Sequence, residues 1–285
     1  MGYSLDNSTN TTIVNSTSVN AQVTAPTGSH VLHVKSWGNH GAVCVTDVPI
    51  SVVAAAALES IPSTAIVVNG IQTQNYYWRG TADEGTGSDL ASGSMSMVSS
   101  PTISGYTRKF AMSYQDSAGE RYWASFGADT AAHNFLYDVE VYLDSTSSDI
   151  ANIEMDMNQV MANGQTVLYG FQCDGYTETW DYTANAGTPE VPIDEWRHTS
   201  IACNPRNWTK NTWHHVQVAY SRDDDGNVTY KFVVLDGVLK NIDETVPSAF
   251  ALGWAPTLLT NFQIDGLGGY GSANVYVDKM TVSRW

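Results

Sequence analysis

Glu154, Asp156 and Asn158 occupy alternate positions in the stretch "NIEMDMNQV", residues 152 to 160, with Ile153, Met155 and Met157 between them. On an extended strand successive side chains point to opposite faces, so the three polar groups share one face and the three apolar groups the other. Two carboxyls on one face can serve glycoside hydrolysis, in which one acts as nucleophile or base and a second protonates the leaving oxygen. An amide at the third position binds hydroxyls and cannot supply that proton. The face therefore has three readings: a glycan-binding surface, a catalytic surface whose acid comes from elsewhere, and the solvated side of an amphipathic strand.

A substitute acid has three candidates downstream, Asp174, Glu178 and Glu195. They lie within a segment, 173 to 203, that with its flank concentrates Tyr176, Trp180, Tyr182, Trp196, His198 and Trp208. Aromatic rings stack on the apolar faces of pyranoses while neighbouring polar groups take the hydroxyls. Trp180, Tyr182, Trp196 and His198 are accordingly expected to border the site, with Asn158 and Gln172 completing its polar floor. The segment has few aliphatic residues and reads as a long irregular loop. Cys173 and Cys203 flank it, and a bridge between them would contribute roughly 3 kcal/mol by restricting the unfolded chain. Cys44 is then left over.

Other constellations offer less. His214 and His215 are adjacent on a strand and point to opposite faces, which argues against a shared zinc ion. "RDDDGNVTY", residues 222 to 230, lacks the Glu that an EF-hand loop requires and reads as a hairpin turn at Asp225-Gly226. Nucleophilic-triad, phosphate-loop and dinucleotide motifs are absent from the sequence.

Strand candidates separated by turn residues run the length of the chain, with no sustained 3.6-residue period, which predicts an all-β fold. Residues 1–53 hold a few short strands, 54–65 ("AAAALESIPS" and its flank) break the pattern as a linker, and 66–285 repeat strands every 8 to 12 residues.

Two resemblances refine this. "GSHVLHVKSWGNHGAVCVTDVPISV" resembles the later strands of the immunoglobulin-like modules of bacterial surface proteins, which implies an incomplete β unit over 1–53 whose open edges could pair with another chain. "SGYTRKFAMSYQD", "NIEMDMNQV", "NTWHHVQVAY" and "VYVDKMTVSRW" together resemble the concanavalin A-like lectin and glucanase superfamily. That resemblance implies a jelly-roll sandwich of two antiparallel sheets over 66–285. It also implies catalytic roles for Glu154 as nucleophile and Asp156 as its orienting partner, as in retaining endo-β-glucanases, with Asn158 where those enzymes carry their acid. Asp278 resembles a ligand of the structural calcium that members often hold; no cofactor is otherwise required.

Composition narrows the partners. A formal charge of −16, from 13 basic against 29 acidic residues, repels nucleic acid and anionic membranes. The sequence has no apolar run long enough to span a bilayer and no leader-like start, and its first residues read as the interior of a longer secreted protein. An extracellular or cell-surface protein that binds a β-glucan-type polysaccharide is the expectation, with a retaining glycoside hydrolase and a structural adhesion module as the alternatives.

Overall fold

The structure, a computed structural model, describes every residue except 20–22, 24, 26–27, 39–40, 53–60 and 84–89, and leaves aside the side chains of 51 and 52. The chain forms two units, Met1–Ser60 and Ile61–Trp285. Most of the expected linker, 54–65, lies outside the described residues.

In the first unit β1 (Gly2–Leu5), β2 (Thr12–Ile13), β3 (Gly28–Trp37) and β4 (Val43–Val52) make one antiparallel sheet in the order β2-β1-β3-β4. β3 and β4 pair along their whole length, from Gly28 opposite Val52 to Trp37 opposite Val43. An immunoglobulin-like sandwich needs a second sheet, and among the described residues of this unit there is none. Cys44 is free and exposed.

The second unit continues with β5 (Ile66–Val68), β6 (Arg79–Asp83), β7 (Leu90–Val98), β8 (Thr107–Gln115), β9 (Gly119–Gly127) and β10 (Asn134–Leu143). Next come β11 (Ile150–Val160), β12 (Thr166–Tyr169), β13 (Phe171–Asp174), β14 (Thr179–Asn185) and β15 (Asp194–Ala202). It closes with β16 (Trp213–Arg222), β17 (Asn227–Leu235), β18 (Val238–Pro247), β19 (Ala249–Phe250), β20 (Leu258–Gly266) and β21 (Tyr270–Arg284). One antiparallel sheet runs β18-β17-β16-β10-β21-β8-β7, with β5 beside β21. The other runs β15-β14-β13-β11-β20-β9-β6, with β12 joining β11 to β19. Their facing side chains interdigitate: Phe110 of β8 meets Phe262 of β20 at 5.3 Å between ring centroids, and Phe135 of β10 meets Tyr169 of β12 at 5.2 Å. The unit is an all-β antiparallel sandwich.

Alternation explains which residues fill the core. Tyr137, Val139 and Val141 on β10, and Ile153, Met155 and Met157 on β11, are fully buried between the sheets. Such burial stabilises by about 1.5–3 kcal/mol per large side chain. On β21 the inward set shifts from Val275 and Val277 to Met280 and Val282. The shift occurs where Lys279 adopts φ 50° and the pairing with β10 is offset between Asp138 and Glu140. One extra residue there reverses the facing of the rest of the strand.

The aromatic segment 173 to 203 is not an irregular loop. It supplies β14 and β15, paired from Thr179 opposite Ala202 to Asn185 opposite Asp194. Thr, Tyr and Trp favour extended backbone, and the alternation of Trp180, Tyr182 and Ala184 with Thr179, Asp181, Thr183 and Asn185 gives the strand two distinct faces. The turn read at Asp225-Gly226 does join β16 to β17, with Asp223 accepting the Asp225 and Asn227 amides.

Candidate functional site

Register places a continuous polar row across the second sheet. Arg121 of β9 stands opposite Gln263 of β20, Gln263 opposite Glu154 of β11, and Glu154 opposite Gln172 of β13. Gln172 in turn faces Asp181 of β14, and Asp181 faces His198 of β15. Directly opposite residues in neighbouring strands have side chains on the same face, so all six share the face turned away from the core. A parallel row contains Trp123, Asn261 and Asp156.

Over these rows lies a groove of about 890 Å³, lined by Arg121, Glu154, Asp156, Asn158, Asn261 and Gln263 and flanked by Trp123, Trp196 and Trp254. A contiguous hollow adds Asn152, Gln172, Asp174, Tyr176 and Asp265. Glycine permits two of the close approaches here. A Cβ on Gly119 would collide with the Asp265 carboxyl, and one on Gly170 with the Thr183 side chain.

The groove's donors are turned inward on its own acceptors. Arg121 Nε donates to Gln263 Oε1 at 2.9 Å, and the Arg121 guanidinium pairs with Asp83 at 3.1 Å. Gln263 Nε2 donates to Asp83 and to Asp265 Oδ1, at 2.9 and 3.0 Å. Asp156 accepts the Phe171 amide at 2.9 Å and Asn261 Nδ2 at 3.0 Å. Left open are Gln172 Oε1 and Asn261 Oδ1, both buried without a hydrogen-bond partner. Glu154, 7% exposed, also faces the groove without a hydrogen-bonding partner among the described residues.

Electrostatics follow from this crowding. Burial raises the proton affinity of Glu154 well above the usual carboxyl range, and the nearby Asp156 and Asp265 raise it further. Burial also lifts Asp156 to about 6, against the lowering effect of its hydrogen bonds from Asn261 and Phe171. Asp265 is pushed up to about 7 by burial, with Gln263 opposing and Asp83 adding to the rise. Asp194, at the groove edge, is raised by burial as well.

The expected site residues divide. Glu154, Asp156, Asn158 and Trp196 line the groove, and Gln172 lines the adjoining hollow. His198 sits at the end of the polar row with its Nδ1 2.8 Å from Asp181. Trp180 and Tyr182 do not border the groove: at 2% and 5% exposure they belong to the core. Trp180 stacks on Phe171 at 5.1 Å, and Tyr182 packs on Tyr230 at 4.9 Å. Packing on these rings turns them inward, and the alternate positions, Asp181 and Thr183, face outward. Cys173 and Cys203 form the expected disulfide.

Of the three nominated acids, Asp174 reaches the hollow, where it accepts the Tyr176 amide and the Thr177 hydroxyl. Glu178 accepts Asn204 Nδ2 and Glu195 pairs with Arg197, and neither lines the groove. Asp278 lies on β21, in the other sheet. Its oxygens accept from Gln72, Thr102, Lys279, the Ile103 amide, and both the amide and hydroxyl of Ser104. Those donors make Asp278 a clamp on the 102–104 loop.

Sequence reasoning missed Arg121, Trp123, Asp194, Trp254, Asn261, Gln263 and Asp265. "NFQID", residues 261 to 265, carries the signal: Asn261, Gln263 and Asp265 alternate with Phe262 and Ile264, the same pattern as on β11.

No protein-family model matches the chain, and no curated protein matches it. Solved structures of similar strand arrangement include a Bacteroides ovatus GH16 protein of a mixed-linkage glucan locus in complex with its G4G4G3G product. It is 10% identical over 76% of this chain and 99% of that one, with a TM-score of 0.42. A carbohydrate-binding module of the β-sandwich superfamily is 9% identical over 98% and 84% of the two chains, with a TM-score of 0.39. Arcelin-5, a lectin-like defence protein of Phaseolus vulgaris, is 12% identical over 73% and 99%, also with a TM-score of 0.39.

Proposed function

We propose that the groove of the second unit binds an extracellular, uncharged polysaccharide. The observation that carries this reading is the polar row from Arg121 to His198, whose Arg121, Gln263 and Glu154 line a groove flanked by Trp123, Trp196 and Trp254. Sugar rings present apolar faces to indoles and hydroxyls to polar side chains, and base-level acceptors that lack donors suit a ligand made of hydroxyls. Glu154, Gln172 Oε1 and Asn261 Oδ1 are such acceptors. The acidic lining, with Arg121 engaged by Asp83, disfavours uronate-rich polymers. The Cys173–Cys203 bond supports a location outside the reducing cytosol.

A hydrolytic reading retains one specific support: Asp265, whose proton affinity reaches about 7, shares the hollow with Glu154 and could hold a proton where Asn158 cannot. Against it, a nucleophile must be ionised, and on Glu154 the pull of the Arg121 charge is outweighed by burial and by the neighbouring Asp156 and Asp265, with no hydrogen-bond donor among the described residues to help it. Binding is therefore the better-supported function.

Affinity electrophoresis in gels containing mixed-linkage β-glucan, cellulose derivatives, xylan or polygalacturonate tests the proposal. Retardation by a neutral glycan, lost in Trp254→Ala and absent with polygalacturonate, is the expected result. Migration unaltered in every gel overturns it. Release of reducing ends by the wild type, abolished in Glu154→Gln, would favour the hydrolytic reading.

A further inference from the structure

At the end of the polar row Asp174, Asp181 and His198 bring one potential ligand atom each to within 4.8 Å of one another. Asp181 is fully buried and Asp174 nearly so, whereas the His198 ring is about half exposed, at 55%. No Lys or Arg side chain pairs with either aspartate among the described hydrogen bonds and ion pairs.

The local hydrogen bonds are short of protons. Thr177 Oγ1 lies 3.0 Å from Asp174 Oδ2, 3.2 Å from Asp181 Oδ2 and 2.8 Å from Thr179 Oγ1. A hydroxyl has one hydrogen to share among those three. Thr179 Oγ1 meets Asp181 Oδ1 at 2.6 Å, which uses its own hydrogen. His198 Nδ1 lies 2.8 Å from Asp181 Oδ2, and the Tyr176 amide donates to Asp174 Oδ1 at 2.6 Å. Beside this cluster is an independent orphan. Gln172 is 3% exposed, and its Oε1 is buried without a partner. It stands directly across from Asp181, with Glu154 on its other side, and two residues before Asp174 on the same face of β13.

Two buried carboxylates and a buried amide oxygen without a donor form a surplus of lone pairs that a cation would satisfy. The imidazole sets the class of ion, because calcium and magnesium take oxygen alone, whereas zinc accepts imidazole readily and manganese, which favours carboxylates, tolerates one. Ligand atoms at about 2.1 Å from one ion are at most about 4.2 Å apart, so closing the site asks only a small shift of the exposed ring. We propose that Asp174, Asp181 and His198, with Gln172 Oε1 as a fourth ligand, form a divalent-metal site for a zinc- or manganese-class ion. Thr177 supplies an outer hydrogen bond to the carboxylates, and the exposed side of His198 leaves room for water. An ion there would fix one end of the row that continues through Gln172 to Glu154. The site does not depend on the groove's being a glycan site.

Isothermal titration of chelator-treated protein with Mn²⁺, Zn²⁺ and Ca²⁺ tests it. One equivalent of Mn²⁺ or Zn²⁺ should bind in the micromolar range or tighter and raise the Tm. His198→Ala, a change at an exposed ring, and Asp181→Asn should each weaken binding at least tenfold. Asp224→Asn, which alters the exposed Asp224–His133 pair, should leave it unchanged. Absence of binding by either ion, equal binding in His198→Ala, or binding of Ca²⁺ alone overturns the proposal.

Discussion

Asn261 Nδ2 donates to Asp156 Oδ2 at 3.0 Å across the β11–β20 pair, whereas Glu154, two residues away on the same face, has no such donor among the described residues. Adjacent carboxyls of one strand thus have different tasks: Asp156 holds neighbouring strands together and Glu154 is free to meet a ligand. Glu154→Gln should keep the fold and weaken glycan binding by up to about tenfold, since a net hydrogen bond contributes about 0.5–1.5 kcal/mol. Asp156→Ala should instead lower the Tm. Titration calorimetry alongside thermal melts separates the two.

The raised carboxyls make stability depend on pH in a defined sense. Asp156 and Asp265 carry folded-state values of about 6 and 7, above the 3.8 of an unperturbed Asp. Between those values the folded protein binds more protons than the unfolded chain, so stability falls as pH rises through that window. His214 and His215, raised by their aspartate partners, add stability that is likewise lost with rising pH. Melting temperature should decline from pH 5 to pH 8, and Asp265→Asn should flatten the decline. An unchanged slope in that variant would remove Asp265 as its source.

Trp180 and Trp254 should respond oppositely to truncation. Trp180→Ala removes a buried ring stacked on Phe171 and should cost about 3–5 kcal/mol of stability. Trp254, 42% exposed at the groove, should leave denaturant midpoints within error and reduce retardation in glycan gels.

Cys203→Ser opens a bridge whose cysteines are 30 residues apart and should destabilise by about 3–4 kcal/mol. Urea unfolding of the variant, compared with the wild type with and without reductant, measures this. The variant should be insensitive to reductant.

Asp278→Asn tests the clamp against a calcium role. Loss of a carboxylate that accepts from residues 102–104 should cost about 1–3 kcal/mol, equally in chelator and in millimolar Ca²⁺. A Tm deficit that appears only with Ca²⁺ present would restore the calcium reading.

The sequence by itself determined the all-β class, the two faces of β11, the hairpin at Asp225-Gly226 and the pairing of Cys173 with Cys203. Each depends on local information: period-2 alternation, turn chemistry, or two cysteines flanking one segment. Only the tertiary structure decided which face of β14 is inward, because both faces carry residues that can be buried and parity alone leaves the choice open. The apolar stack of Phe171, Trp180 and Tyr230 settles it. The neighbours of Glu154 were likewise beyond local reach. Arg121, Gln263 and Asp265 come from strands 33 to 111 residues away in sequence, brought alongside by a strand order that no local pattern encodes. That same order carries the polar row on to Asp181 and His198, where sequence reading had expected a long aromatic loop with His198 at the border of the site.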